Sequence, residues 1–134
     1  MQFFFTNKGR TAKLSALFLF AAFFAAAQSD ELAQKSQEAK QLMAAGRFEE
    51  AIPIYKQLTQ ALPGNPGLML NLGLAQHMAG HNQEAVPVLE AVLKGQPNLV
   101  PALISLGAAR LAINQPQQAV VPLQKVVAAE PANT

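Results

Sequence analysis

The sequence predicts an all-α protein, a right-handed stack of three helical hairpins behind an N-terminal leader, and three observations predict it. A skeleton spanning residues 66–99 recurs 34 residues earlier and 34 residues later, with Ala51, Ala85 and Ala119 in phase. Pro63, Pro97 and Pro131 form a second matching set, and Gly46, Gly80 and Asn114 a third. Between these markers, apolar residues fall at three- and four-residue spacing, the period of a helix with one buried face. A fixed period of this length marks helix–turn–helix units that bury their apolar faces on one another. Such a pattern identifies a protein-binding scaffold and leaves its partner open.

Residues 1–27 have the order of a secretory signal peptide. Lys8, Arg10 and Lys13 precede an apolar run over residues 14–24, and small residues follow at Ala25, Ala26 and Ala27 before the polar Gln28, Ser29 and Asp30. The run is short of the roughly 20 residues that span a bilayer as a helix. Cleavage is expected after Ala27, giving a mature chain of residues 28–134, secreted or periplasmic. A retained anchor is the alternative, kept open by Phe3, Phe4 and Phe5 ahead of the charges, and it is the one route to a membrane.

The 134 residues suit one domain. The formal charge of +2 is set by the leader, because beyond Ala27 the chain holds seven basic and eight acidic residues. The remainder is nearly neutral and has no basic stripe for nucleic acid. The absence of cysteine excludes disulfides, thiolate metal sites and a cysteine nucleophile.

The first unit places Asp30 and Glu31 at a helix start, where negative charge is favourable, and runs the helix to about Ala45 with Gly46 ending it. Glu49 and Glu50 open the second helix, which offers Ala51, Ile52, Tyr55, Leu58 and Leu62 for burial until Pro63-Gly64 stops it. Asn65 caps the next helix with Pro66 at its first position, where a missing N–H costs nothing. Helix 66–79 is expected to bury Met69, Leu72 and Ala75. Helix 82–94 follows with Pro87 early in it, close to the limit of the free N–H region. The third unit repeats the plan over residues 100–129, with Asn114 in place of glycine.

These units resemble tetratricopeptide repeats, over residues 32–65, 66–99 and 100–133. The leucine–small pair of that family appears as Leu72-Gly73 and Leu106-Gly107, and as Glu38-Ala39 in the first unit. Its later small residue is Ala51, Ala85 and Ala119, its aromatic position is Tyr55, Leu89 and Leu123, and its closing proline is Pro63, Pro97 and Pro131. The resemblance implies that the small residues let paired helices approach closely. Departures occur where the family has tyrosine and this chain has Leu42, Gln76 and Arg110, and where alanine is replaced by Leu58, Val92 and Val126. Lys35 replaces a large residue in the first unit.

The resemblance further implies a concave groove lined by the first helix of each unit. On this chain the groove would carry Lys40, Met43, Leu70, Asn71, Leu74, His77, Met78, Ile104, Ala108 and Leu111, with Ser36, Ala44 and Ala112 at equivalent lining positions. The lysine and asparagine with which some relatives clamp a peptide's terminal carboxylate are replaced by Leu70 and Leu74, so recognition of that kind is not expected. An apolar groove suits the nonpolar face of a partner helix, with Met78 adapting to irregular shapes. The groove could equally close on itself or on a sister chain as core.

His77 and His81 stand four apart, a spacing that shares a metal on one helix, but Gly80 between them ends that helix. No metal or other cofactor is expected. The sequence has no phosphate-cradling glycine loop, no G-x-S-x-G, no H-E-x-x-H and no carboxylate pair set among apolar residues. A non-enzymatic role follows. Helix 116–129 is apolar nearly all round, and a helix of that composition expects neighbours on more than one side. Val120, Val121, Leu123 and Val127 are candidates for a self-association face. Alternatives are a homo-oligomeric component, or a truncated or accessory part of a larger repeat-containing envelope protein.

Overall fold

The computed structural model describes residues 8–129, with side chains from residue 17 onward. Phe3, Phe4 and Phe5, the closing Pro131 and the end of the third repeat lie outside the described residues. Six helices follow in order, α1 (Lys8–Ala44), α2 (Phe48–Ala61), α3 (Pro66–Met78), α4 (Asn82–Gly95), α5 (Val100–Ala112) and α6 (Pro116–Ala129). The chain forms two compact units, Met1–Gln34 and Lys35–Thr134.

The first unit holds the leading part of α1. Leu17, Phe18, Leu19, Phe20, Phe23 and Phe24 are all exposed there, so the helix is apolar on every side. Asp30 and Glu31 do not open a helix, contrary to the sequence expectation. No glycine or proline stands between Arg10 and Ala45, and the leucine- and alanine-rich leader favours helix, so α1 runs through both acids. Among the described residues no helix is long and apolar enough to cross a membrane.

The second unit holds the end of α1, then α2, and after them the helical hairpins α3 with α4 and α5 with α6. Adjacent elements pack in chain order from α2 to α6, and the first helices α3 and α5 also meet. Each first helix ends in the same way. The N–H groups of Arg47, His81 and Gln115 donate to the carbonyls of Leu42, Gln76 and Arg110 at 2.8–2.9 Å, while Gly46, Gly80 and Asn114 donate three residues back. This closure needs a left-handed residue, and φ is 72° at Gly46, 87° at Gly80 and 60° at Asn114. Asn65 caps α3 as expected, its Oδ1 accepting from the Leu68 N–H at 3.1 Å.

Contact within a hairpin is closest where a glycine faces a leucine. A Cβ on Gly73 would lie 2.7 Å from Leu89 Cδ2 and 2.9 Å from Leu89 Cγ, and one on Gly107 would lie 2.6 Å from both Leu123 Cδ2 and Cγ. Ala39, Ala51, Ala85 and Ala119 are likewise buried, so the small residues do set the helix spacing. Leu89 joins Ala85, Val92, Ala102 and Leu106 in a core cluster, with Met69, Leu70, Val86, Leu93 and Leu99 packed partly against it. In α2 the expected Ala51, Ile52, Tyr55 and Leu58 are buried. Leu62 is not, because α2 ends at Ala61 and leaves it 43% exposed in the turn. Met69 is half-buried at the flank of the cluster, short of full burial.

Gly73→Ala should therefore destabilise the protein despite alanine's better helix propensity. Overpacking a filled core site costs about 1–3 kcal/mol, against a gain of about 1 kcal/mol for removing a helical glycine. Gly95→Ala, with nothing within 4 Å of the new methyl, should instead stabilise. Opposite shifts of the urea midpoint are the expected result.

Candidate functional site

Most of the residues expected to line a groove lie on the first helices of the second and third units, α3 and α5. On α3, Leu70, Asn71, Leu74 and His77 are half-buried and Met78 is 56% exposed. On α5, Ile104 is 47% and Leu111 51% exposed, with Ala108 half-buried between them. In the first unit Lys40 is exposed and Met43 half-buried. Leu70 also packs on the core cluster, so its side chain is shared between core and surface. Because α3 and α5 adjoin, Met78, Ile104 and Leu111 belong to neighbouring apolar surfaces with few charges.

The two histidines are held apart by Gly80, His77 on α3 and His81 ahead of α4. The Nδ1–H of His77 donates to Asn82 Oδ1 at 2.7 Å, and the Nε2–H of His81 donates to Glu49 Oε1 at 2.7 Å. Among the described residues no group of three potential metal ligands is assembled.

The position at which Gln76 and Arg110 stand produces an arrangement that sequence reasoning missed. Gln76 is 3% exposed, and its Nε2 donates to Glu84 Oε2 at 3.3 Å. Arg110, one period later, reaches back to Glu90 of α4 and donates from Nη1 to the carbonyl of Gln118 at 2.7 Å. That carbonyl is four residues before Pro122, which has no N–H to offer it. The arginine thus supplies the donor that the proline removes. Pro53 and Pro87 also lie inside their helices, past the first bonded N–H groups of Ala51 and Ala85. Pro87 lies two residues past Ala85, whose N–H is the first to reach back four residues, so it stands beyond the free N–H region and not merely close to its limit. Gln76 Oε1 and Arg110 Nε are buried without a partner, so each polar side chain keeps one unsatisfied atom.

Charged pairs join successive second helices. Lys56 Nζ meets Glu84 Oε2 at 3.2 Å, and Glu49 meets the His81 ring ahead of α4. The hydrogen bond from Lys56 and its positive charge hold the Glu84 carboxyl below the usual carboxylate range, with His81 and Gln76 adding smaller shifts in the same direction. Its bridge therefore stabilises the fold above the ordinary value of 4.5 and is lost as the pH falls through the lowered folded value.

The α6 residues expected to associate with a second molecule are largely bare. Val120, Val121 and Val127 are 46%, 58% and 73% exposed, and Leu123 is half-buried over Gly107. Only Ala119 and Pro122 are buried in that helix.

Two measurements check the polar links. Arg110→Leu should cost about 1–3 kcal/mol, since it leaves the Gln118 carbonyl without a protein donor. The cost should fall in a Pro122→Ala background, where a new backbone N–H takes that carbonyl, and a double-mutant cycle reads the difference. Stability of the native chain should also drop more steeply below pH 4.5 than that of Glu84→Gln, followed by urea melts across acid pH.

No curated protein matches the chain. The family model for the tetratricopeptide repeat matches residues 42–98, which cover α2, α3, α4 and the turns between them. Repeats of this family serve generally as protein–protein interaction modules and are typically non-catalytic scaffolds. With the matched segment lying within in-phase helical hairpins, the chain contains tetratricopeptide repeats over residues 42–98.

Proposed function

We propose that the protein is an exported scaffold that holds a partner protein by the nonpolar face of a helix, laid along the apolar surfaces of α3 and α5. The observation that carries this reading is the exposure of Met78, Ile104 and Leu111, three large apolar side chains on adjoining helices of one stack. Large apolar groups on a folded unit favour burial against another molecule, and an amphipathic helix supplies matching side chains at three- and four-residue spacing. Leu70 and Leu74 support the same choice, since neither can hold a carboxylate or a phosphate. The bare valines of α6 add a second surface.

Export rests on the cationic, apolar and small-residue order of residues 1–27. On this reading the leader is removed after Ala27 and residues 28–134 act in the periplasm or outside the cell, without a cofactor and by binding alone.

Affinity isolation of the tagged chain from its source cells tests the surface. Ile104→Asp combined with Leu111→Asp should abolish capture of the proteins enriched by the native chain, while circular dichroism stays unchanged because both side chains are exposed. Undiminished capture would refute the assignment. Mass spectrometry of the same material should find a chain that begins at Gln28.

A further inference from the structure

A cleft between α4, α5 and α6 shares no residue with the groove, and its composition is not imposed by the repeat pattern. Leu93, Leu103, Leu106 and Val121 give it apolar sides, and Arg110 and Lys125 are its two cations. One repeat length earlier, Leu93, Arg110 and Lys125 correspond to Thr59, Gln76 and Ala91. The added leucine and both charges are therefore properties of this junction and not of the repeat. Leu103 and Leu106 are nearly fully buried and form the depth of the cleft, whereas Val121 stands exposed at its mouth.

The two cations are not equivalent. Gly107 faces Leu123 and Arg110 bonds to Gln118, so α5 and α6 run antiparallel, with Arg110 toward their connecting turn and Lys125 toward the far end. The charge of Arg110 is matched by Glu90. Among the described residues no carboxylate pairs with Lys125, which is exposed at the rim. Between the two cations the lining is apolar. The space measures about 140 Å³, close to the roughly 150 Å³ of an apolar cavity that accepts benzene.

The structure assigns this cleft to a small aromatic carboxylic acid, with its ring on Leu103 and Leu106 beside the Arg110 guanidinium and its carboxylate at Lys125. A flat guanidinium favours the face of an aromatic ring over an aliphatic chain. The anion is directed to Lys125 and not to Arg110, where Glu90 would repel it. A ligand site of this kind lies beyond the scaffold reading and does not depend on it.

The probe is hydrocinnamate, titrated into the full chain with isotopically labelled methyl groups and followed by NMR. Saturable shifts should appear at the methyls of Leu93, Leu103, Leu106 and Val121, with a Kd of about 1 mM or tighter for a ligand of this size. Lys125→Gln should weaken binding by about three- to fivefold, and the neutral hydrocinnamide should bind the native chain and that variant equally. Val121→Phe, whose ring would close the mouth, should abolish the leucine shifts while the thermal midpoint stays unchanged, because Val121 is exposed. No saturable shift at these methyls, or the same affinity for hydrocinnamate in Lys125→Gln, would overturn the assignment. So would much tighter binding by a peptide that ends in phenylalanine with a free carboxylate, since the occupant would then be the chain end of a partner. Ile104→Asp with Leu111→Asp should leave the shifts in place; their loss would put the ligand in the groove and overturn the assignment too. Those substitutions test the groove through partner capture, so either reading can fail while the other stands.

Discussion

The spacing of the paired helices depends on two places where a backbone meets the side chain of the opposite helix. Gly73 under Leu89 and Gly107 under Leu123 bring the helices of a hairpin closer than any residue with a Cβ permits without displacing the leucine. In the second hairpin this contact fixes Leu89 at the centre of the cluster on which α3, α4 and α5 converge. Helicity alone would not do this, since isolated helices of 13 or 14 residues are marginal in water. The stack exists because each helix has a neighbour at a distance that small residues define.

Polar groups then lock hairpins that the apolar contacts have placed. Lys56 with Glu84, Glu49 with His81, and Glu90 with Arg110 each reach between successive repeats. Exposed pairs of this kind add little stability individually. Arg110 differs because most of its side chain is buried and one of its bonds goes to a backbone carbonyl that Pro122 leaves open. The apolar surfaces that remain, on α3 with α5 and on α6, are the places without such polar cover.

The helices of the second and third hairpins were legible almost residue by residue, because glycine, asparagine and proline mark their ends through backbone geometry. The half-burial of Met69 and the exposure of Leu62 were not, since both depend on where a helix stops relative to a neighbour and not on its own period. The start of α1 was misread for a related reason. Acidic residues are compatible with a helix start and with a helix interior, and only a breaker would have decided between them. The candidate groove was legible through the family resemblance, which supplied its residues, whereas the sharing of Leu70 with the core required coordinates. The partnership of Arg110 with Gln118 could have been suspected from two signs, a polar residue in an aromatic place and a proline seven residues into a helix. Connecting them required knowing which carbonyl lay within reach.

Pro122 stands one residue later in its hairpin than Pro53 and Pro87 do in theirs, and that offset turns it inward to a buried position. The second helices are for this reason not interchangeable, although their apolar patterns are. Were α6 joined to the α3 of the middle repeat, it would meet Gln76 in place of Arg110, an amide too short to reproduce the arginine's span from Glu90 to the Gln118 carbonyl. Moving α5 and α6 together would keep the Arg110–Gln118 bond, whereas moving either one alone would break it, so the hairpin is the unit within which this proline is tolerated.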